Sequence, residues 1–315
     1  MEINHSIAND TDIQPLTFEL KGRGSSSFAI GEWIDRTPFP GAARFKAASF
    51  TVNGIGFVCL GVTYGGNNTN EVWEYNTDNQ WIKKSNFPGG SHDNPIGLSI
   101  NGKGYVGLGS NRNDFWAYDY STDTWTRKSD FPGQARSSGV NFSTSGKGYV
   151  GLGYGNSSLL DDFWEYDPVS DNWTQVPDYP GNGRSNAAAF TINDRIFVGT
   201  GCDAESFAGH ANSDFWEYVA STKQWIRRSD FERGKTISAI SFSIHNYGYL
   251  GGGSKEDGTG VDTSFWEYDP VTDKWAAKAD MPAFSSGGVY YATGNKGYFG
   301  LGYMTSPYYW EFNPF

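Results

Sequence analysis

Twelve tryptophans set the frame of this chain. Ten fall into five pairs: Trp73 with Trp81, Trp116 with Trp125, Trp164 with Trp173, Trp216 with Trp225 and Trp266 with Trp275. The first pair is eight residues apart and the other four are nine. Trp310 has no partner after it, and Trp33 has none before it. From Trp33 to Trp81 is 48 residues, and the later steps between second members are 44, 48, 52 and 50. The unpaired ends therefore complete one another, which gives six units. A period in this range marks a repeat architecture, whose units bury their apolar faces only by stacking.

Each unit reads as four short strands. The first is small and apolar, as in Ala47 to Val52 or Ala187 to Ile192. A tight turn follows at Asn53-Gly54, Asn101-Gly102 or Asn193-Asp194, pairs that supply the positive φ angles of two-residue hairpins. The second strand is a Gly-Tyr-Val-Gly-Leu-Gly run, clearest at Gly148 to Gly153. The third is Phe-Trp-Glu-Tyr, where period two places Trp and Tyr on one face and Glu on the other. An Asp-Pro-x-x-Asp turn leads to the fourth strand, which carries the second Trp and then Lys or Arg. No stretch has a convincing helical period.

This pattern resembles the kelch repeat. The residues that carry the resemblance are the glycines closing strand two (Gly61, Gly109, Gly153, Gly201, Gly253, Gly302), the tyrosines of strand three (Tyr75, Tyr118, Tyr166, Tyr218, Tyr268) and the second tryptophan of each pair. Leu between the strand-two glycines departs from the paired glycines often seen in that family. The resemblance covers residues 25–315 and implies an all-β, six-bladed β-propeller of four-stranded antiparallel blades. The chain stops near the end of a third strand, at Tyr309 to Phe315, and Gly31 to Arg36 has the fourth-strand pattern. We therefore expect the N-terminal strand to close blade six, removing a raw sheet edge. Residues 1–24 fall outside the repeat as a lead-in, within which Pro15 to Leu20 has the pattern of a short strand and Lys21 to Ser27 that of a linker.

Composition narrows the function. The net charge is −11, from 24 basic and 35 acidic residues, with no basic run, so no nucleic-acid partner is expected. No apolar run reaches the ~20 residues of a membrane span, and the start of the given chain shows no signal peptide. Related bacterial kelch proteins are often exported, so the resemblance leans toward a periplasmic or extracellular location. The two cysteines, Cys59 and Cys202, fall in blades one and four, on opposite sides of a six-membered ring, too far apart for a disulfide.

Features shared by all six blades answer to packing, so function is sought where the symmetry breaks. Arg44, Arg136 and Arg184 occupy matching places before strand one, with Lys235 read as their counterpart in blade five. Blade two has Ser91-His92-Asp93-Asn94 there, and blade six has Ser285-Ser286. In related kelch domains, arginines at this place line the channel mouth and bind carboxylates, as planar bidentate donors suit. The other reading is that they cap loops or pair with nearby acids. The loops between strands two and three, which should open on the same face, vary most and add Tyr64, Asn67, Tyr154, Glu205, Phe207, His210 and Tyr303 as candidate ligand contacts.

These readings favour a monomeric, non-enzymatic binding module for a carbohydrate or an anionic peptide or protein, with no cofactor. The alternatives are a sugar-acid epimerase or mutarotase similar to N-acetylneuraminate epimerase, itself a six-bladed kelch propeller, and a protein-interaction scaffold. An epimerase would need an acid–base pair, which the sequence does not single out among Arg44, Arg136, Arg184, His92, Asp93 and Glu205. A copper radical oxidase, a chemistry also found on kelch propellers, needs a pair of histidine ligands that His5, His92, His210 and His245 do not offer. Asp203, Glu205 and His210 share one loop but match no zinc spacing.

Overall fold

The structure, a computed structural model, describes residues 30–204, 210–255, 260–283, 286–303 and 307–314. The expected strand at Pro15 to Leu20 lies outside them. The chain forms six four-stranded antiparallel sheets in a ring, with the strands in sequence order in five blades and the N-terminal strand added to the last three in the sixth. Blade four is representative: Ala188–Ile192, Arg195–Gly199, Phe215–Val219 and Gln224–Arg228. There is no helix among the described residues.

Closure is as expected. The strand Glu32–Asp35 pairs antiparallel with Tyr309–Asn313, with Trp33 opposite Phe312 and Asp35 opposite Trp310. Trp33 thereby becomes the second tryptophan of blade six. The ring of second tryptophans shows why: each donates its indole N–H to a carbonyl just past the fourth strand of the preceding blade. Trp81 reaches Thr37 at 2.9 Å, Trp125 reaches Ser85 at 3.2 Å, and Trp225 reaches Pro177 at 3.0 Å. Trp33 reaches Ala279 at 3.0 Å, across 246 residues of sequence.

The hairpin turns follow the sequence chemistry. Asn53 and Gly54 have φ of 52° and 78°, and Asn193 and Asp194 have 49° and 62°. In the turn after strand three, Asp123, Asp171 and Asp273 each accept from a tyrosine of their own blade, Tyr118, Tyr166 and Tyr268. The same carboxylates accept the backbone N–H of Ser85, Ser129 and Ser229 in the preceding blade. One acid thus fixes a turn and clasps two blades together.

The core lies between blades rather than within one. Phe115 of blade two meets Tyr166 and Trp173 of blade three at ring distances of 4.9 and 5.1 Å. Strand three therefore sends Trp and Tyr toward one neighbour and Phe toward the other. Cys59 and Cys202 are both buried.

Candidate functional site

The segment leading into each first strand decides what the channel mouth presents. In blade one it forms a small ladder, Arg44–Phe45 against Val62–Thr63, and in blade five Thr236–Ile237 against Ser254–Lys255. Single bridges Ser137–Tyr154 and Ser185–Cys202 do the same in blades three and four. This pairing turns the side chain at position 44 and its equivalents inward between the strands.

Arg44, Arg136 and Arg184 are accordingly buried, 0 to 2 % exposed. Each guanidinium repeats one set of contacts. Arg184 donates to the carbonyls of Asn182 and Thr200 and forks onto Asp214. Arg136 does so with Gln134, Leu152 and Asp162, while Arg44 bonds the Ala42 and Leu60 carbonyls and meets Glu71 through Nη2. Each also lies over an aromatic ring, Phe39, Phe131 or Tyr179. The acid sits two residues before the first tryptophan and accepts its indole N–H as well, from Trp73, Trp164 and Trp216. Burial pushes the Asp162 and Asp214 carboxyls up, but their arginine partners outweigh it and hold both below the usual range. Of the two sequence readings, loop capping with acid pairing describes this geometry, and carboxylate binding at the mouth does not. With each of its three nitrogens bonded inside the protein and the side chain buried, each guanidinium is committed to the blade.

The same contacts correct the alignment in blade five. The residue bonded to the carbonyl sixteen positions later is Thr236, whose Oγ1 lies 3.4 Å from the Gly252 carbonyl. Lys235 is therefore one position out of register. Blade five also replaces the acid, with Ser264 accepting from Trp266. Cation and anion have been exchanged together for neutral residues, as a buried pair requires. In blade two His92 takes the arginine's place, with Nδ1 2.6 Å from the Leu108 carbonyl and Nε2 3.4 Å from Asp114. Since a carbonyl only accepts, Nδ1 carries the hydrogen. His92 is buried and does not face the lumen.

The accepting carbonyls explain the leucine between the strand-two glycines. Leu60, Leu108, Leu152 and Leu301 are left-handed, with φ between 55° and 63°, and Thr200 has 61°. Such a conformation is a genuine outlier for a bulky residue. It turns the carbonyl onto the arginine while the N–H bonds strand three, as Leu60 does to Glu71 at 3.0 Å.

The mouth itself is built two residues after each arginine. Lys46, Asn94, Ser138, Asn186, Ser238 and Gly287 all have φ between 53° and 63°. Neighbouring members bond through the backbone: Lys46 to Gly287 at 2.7 Å, Asn186 to Ser138 at 2.9 Å, Ser238 to Asn186 at 3.0 Å. Below this ring the lumen-facing positions of the first strands are Ser49, Gly97, Asn141, Ala189, Ser241 and Tyr290, then Thr51, Ser99, Ser143, Thr191, Ser243 and Ala292. Together they enclose a cavity of about 590 Å³ along the channel. Its charged lining is limited to Lys46, the engaged Arg136, and Asp194, which accepts from Ser145 at the far end. Lys46 Nζ lies 3.5 Å from Asp93, so the mouth is close to neutral.

The loop candidates are scattered. Tyr64 and Tyr303 come together over the blade one–six junction, where Phe45 stacks on Tyr303 at 4.2 Å and Tyr64 donates to the Gly302 carbonyl. Tyr303 leans on Gly287 of the mouth ring. Asn67 is exposed in the blade-one loop, its carbonyl accepting from Thr63. Tyr154 lines a separate hollow of about 220 Å³ with Ser110, Asn111 and Ser137. His210 is exposed, 3.7 Å from Asp203, while Glu205 and Phe207 lie outside the described residues.

Sequence reasoning missed Lys46, Asn94, Asn141, Asn186 and Tyr290. Their signal was present as a repeat position that stays polar two residues after the arginine, and as one tyrosine among small residues on the first strands.

The sequence model of the N-acetylneuraminate epimerase family matches residues 86–215, which is less than half of the chain. No curated protein matches the sequence. Among solved structures, one titled "Structure of YjhT" superposes with a TM-score of 0.70 at 16 % identity, covering 84 % of this chain and 92 % of that one. At that identity the likeness shows the fold alone, a propeller in both cases.

Proposed function

We propose that this protein binds a carbohydrate in the mouth of its central channel. The observation that carries the reading is the lining: a cavity of ligand size walled by asparagine amides and serine and threonine hydroxyls, flanked by exposed aromatics. The anionic ligand considered from sequence loses its support, because its expected partners Arg44, Arg136 and Arg184 are engaged inside the blades. Binding to a glycan array, abolished by Asn94→Gly with Asn186→Gly, which keep the left-handed backbone, at unchanged melting temperature, is the expected result. Undiminished binding by that double variant would refute the location.

A second reading is favoured by the partial match to the N-acetylneuraminate epimerase family. Exchange at an anomeric carbon through ring opening needs a base for the anomeric hydroxyl and an acid for the ring oxygen. Lys46 and Asp93 are the charged pair placed at the mouth to serve, Asp93 as base and Lys46 as acid. NMR exchange of N-acetylneuraminate anomers tests this. Acceleration by the wild type that is lost in Asp93→Asn would establish it, and exchange at the uncatalysed rate would dismiss it.

A further inference from the structure

The lumen breaks its sixfold symmetry at one level. Five blades place Ser49, Gly97, Asn141, Ala189 and Ser241 there, and blade six places Tyr290. The residues are equivalent by register, since Ala48 opposite Cys59, Val140 opposite Gly151 and Val289 opposite Gly300 fix the three strands that carry Ser49, Asn141 and Tyr290. The Tyr290 ring packs on the core between blades five and six on one side and lines the channel on the other. By the order of the ring, blade three is opposite blade six, so Asn141 faces Tyr290 across the lumen. Glycine and alanine in blades two and four leave the space between them unfilled.

The amides on the far side share a polarity. Asn141 donates through Nδ2 to the Gly97 carbonyl at 2.6 Å, Asn94 to Ser138 at 2.9 Å and Asn186 to Ser185 at 3.2 Å. Among the described residues, none of their Oδ1 atoms has a hydrogen-bond donor. The wall formed by blades two to four therefore presents amide oxygens together with each amide's second N–H, while the blade-six side is lined by the Tyr290 ring, with Tyr303 leaning on Gly287 at the rim. An aromatic face is negative at its centre and attracts polarised C–H groups. Amide oxygens and N–H groups side by side match sugar hydroxyls, which both donate and accept.

Resting on the carbohydrate reading above, we infer that the channel takes a neutral pyranose, its C–H face stacked on Tyr290 and its hydroxyls donating to Asn94, Asn141 and Asn186, and that it discriminates against the corresponding acidic sugars. The discrimination rests on Lys46, whose charge is already committed to Asp93. A carboxylate would have to draw Lys46 from Asp93, leaving that acid without its cation.

The test is saturation-transfer NMR and titration calorimetry with free glucose, galactose, mannose, N-acetylglucosamine, glucuronate, galacturonate and N-acetylneuraminate. At least one neutral sugar is expected to bind, with its acidic counterpart weaker by about tenfold or more. Tyr290→Leu is expected to weaken the neutral sugar by about tenfold, the size of one lost stacking contact. Tyr290→Phe keeps the ring and removes the hydroxyl near Ser241, so a larger loss in Tyr290→Leu than in Tyr290→Phe isolates the ring, and the melting temperature reports folding for both. Neutral-sugar binding that survives Tyr290→Leu overturns the inference and leaves the carbohydrate reading standing, as does tighter binding of the acidic sugars. Binding by none of the seven overturns both.

Discussion

Asp214 is the residue on which several lines converge. Its carboxylate meets both terminal nitrogens of Arg184, the indole of Trp216 and the hydroxyl of Tyr179. Removing it strands a guanidinium that is 2 % exposed, and breaking a buried pair on one side costs about 3–5 kcal/mol. Blade five supplies the matched control, Thr236 with Ser264. We predict that Asp214→Ser costs about 3 kcal/mol in urea unfolding, and that adding Arg184→Thr recovers at least about 1 kcal/mol of that loss. No recovery in the double variant would mean the charges are not coupled. The same acids give the protein an acid limb. Burial pushes the Glu71 carboxyl up, yet donors from Lys83, Arg44 and Trp73 bring it to about 2 from a usual 4.5, and Asp114, Asp162 and Asp214 are also depressed. Folded values below unfolded ones stabilise above the unfolded pKa and lose that contribution as pH falls. Melting temperature should therefore hold from neutrality to about pH 5 and drop steadily from about pH 4 to pH 2. A flat profile over that interval would contradict the ion-pair account.

Among the elements, the second strand was the most regular in sequence and the least explained by it. Its opening glycine recurs as Gly56, Gly104, Gly148, Gly248 and Gly297. The reason lies in the neighbouring blade: a Cβ on Gly248 would stand 2.0 Å from the Phe190 ring, and one on Gly297 2.2 Å from Phe242. Four of these glycines let a strand approach an aromatic ring of the preceding blade's first strand, and Gly148 approaches Leu98 and Ile100 in the same way. Gly248→Ala should cost about 1–3 kcal/mol by overpacking, without changing the strand pairing seen by hydrogen exchange. A neutral effect would show that the Phe190 ring has room to withdraw. The repeat was legible because glycine survives as a letter. Its partner was not, because a ring 58 residues earlier leaves no mark on local periodicity.

For the molecule as a whole, the decisive contact is the one that turns a row of blades into a ring. Trp33 packs against Phe265, Phe299 and Phe312 at 4.8 to 5.1 Å, and Arg36 forks onto Glu311. Trp33→Ala should cost about 3 kcal/mol, the low end for a large core aromatic, because Trp33 is partly buried. Exchange protection of Tyr309–Asn313 should fall before that of blades two to four. If all six blades lost protection together while stability changed by less than about 1 kcal/mol, the closing strand would carry no special weight.

The sequence by itself determined the number of blades, the four strands in each, the hairpin turns and the closing of blade six by the N-terminal strand. Those properties are local or periodic, so tryptophan spacing, Asn-Gly turns and alternation along a strand suffice to express them. Which polar residues face the lumen was decided only by the tertiary structure. Arg184 and Asn186 are two residues apart, yet a ladder buries the first between strands and a left-handed turn delivers the second to the channel mouth. The cavity itself belongs to no repeat: Asn141 and Tyr290 oppose each other only because the ring closes, and closure is a property of all six blades at once.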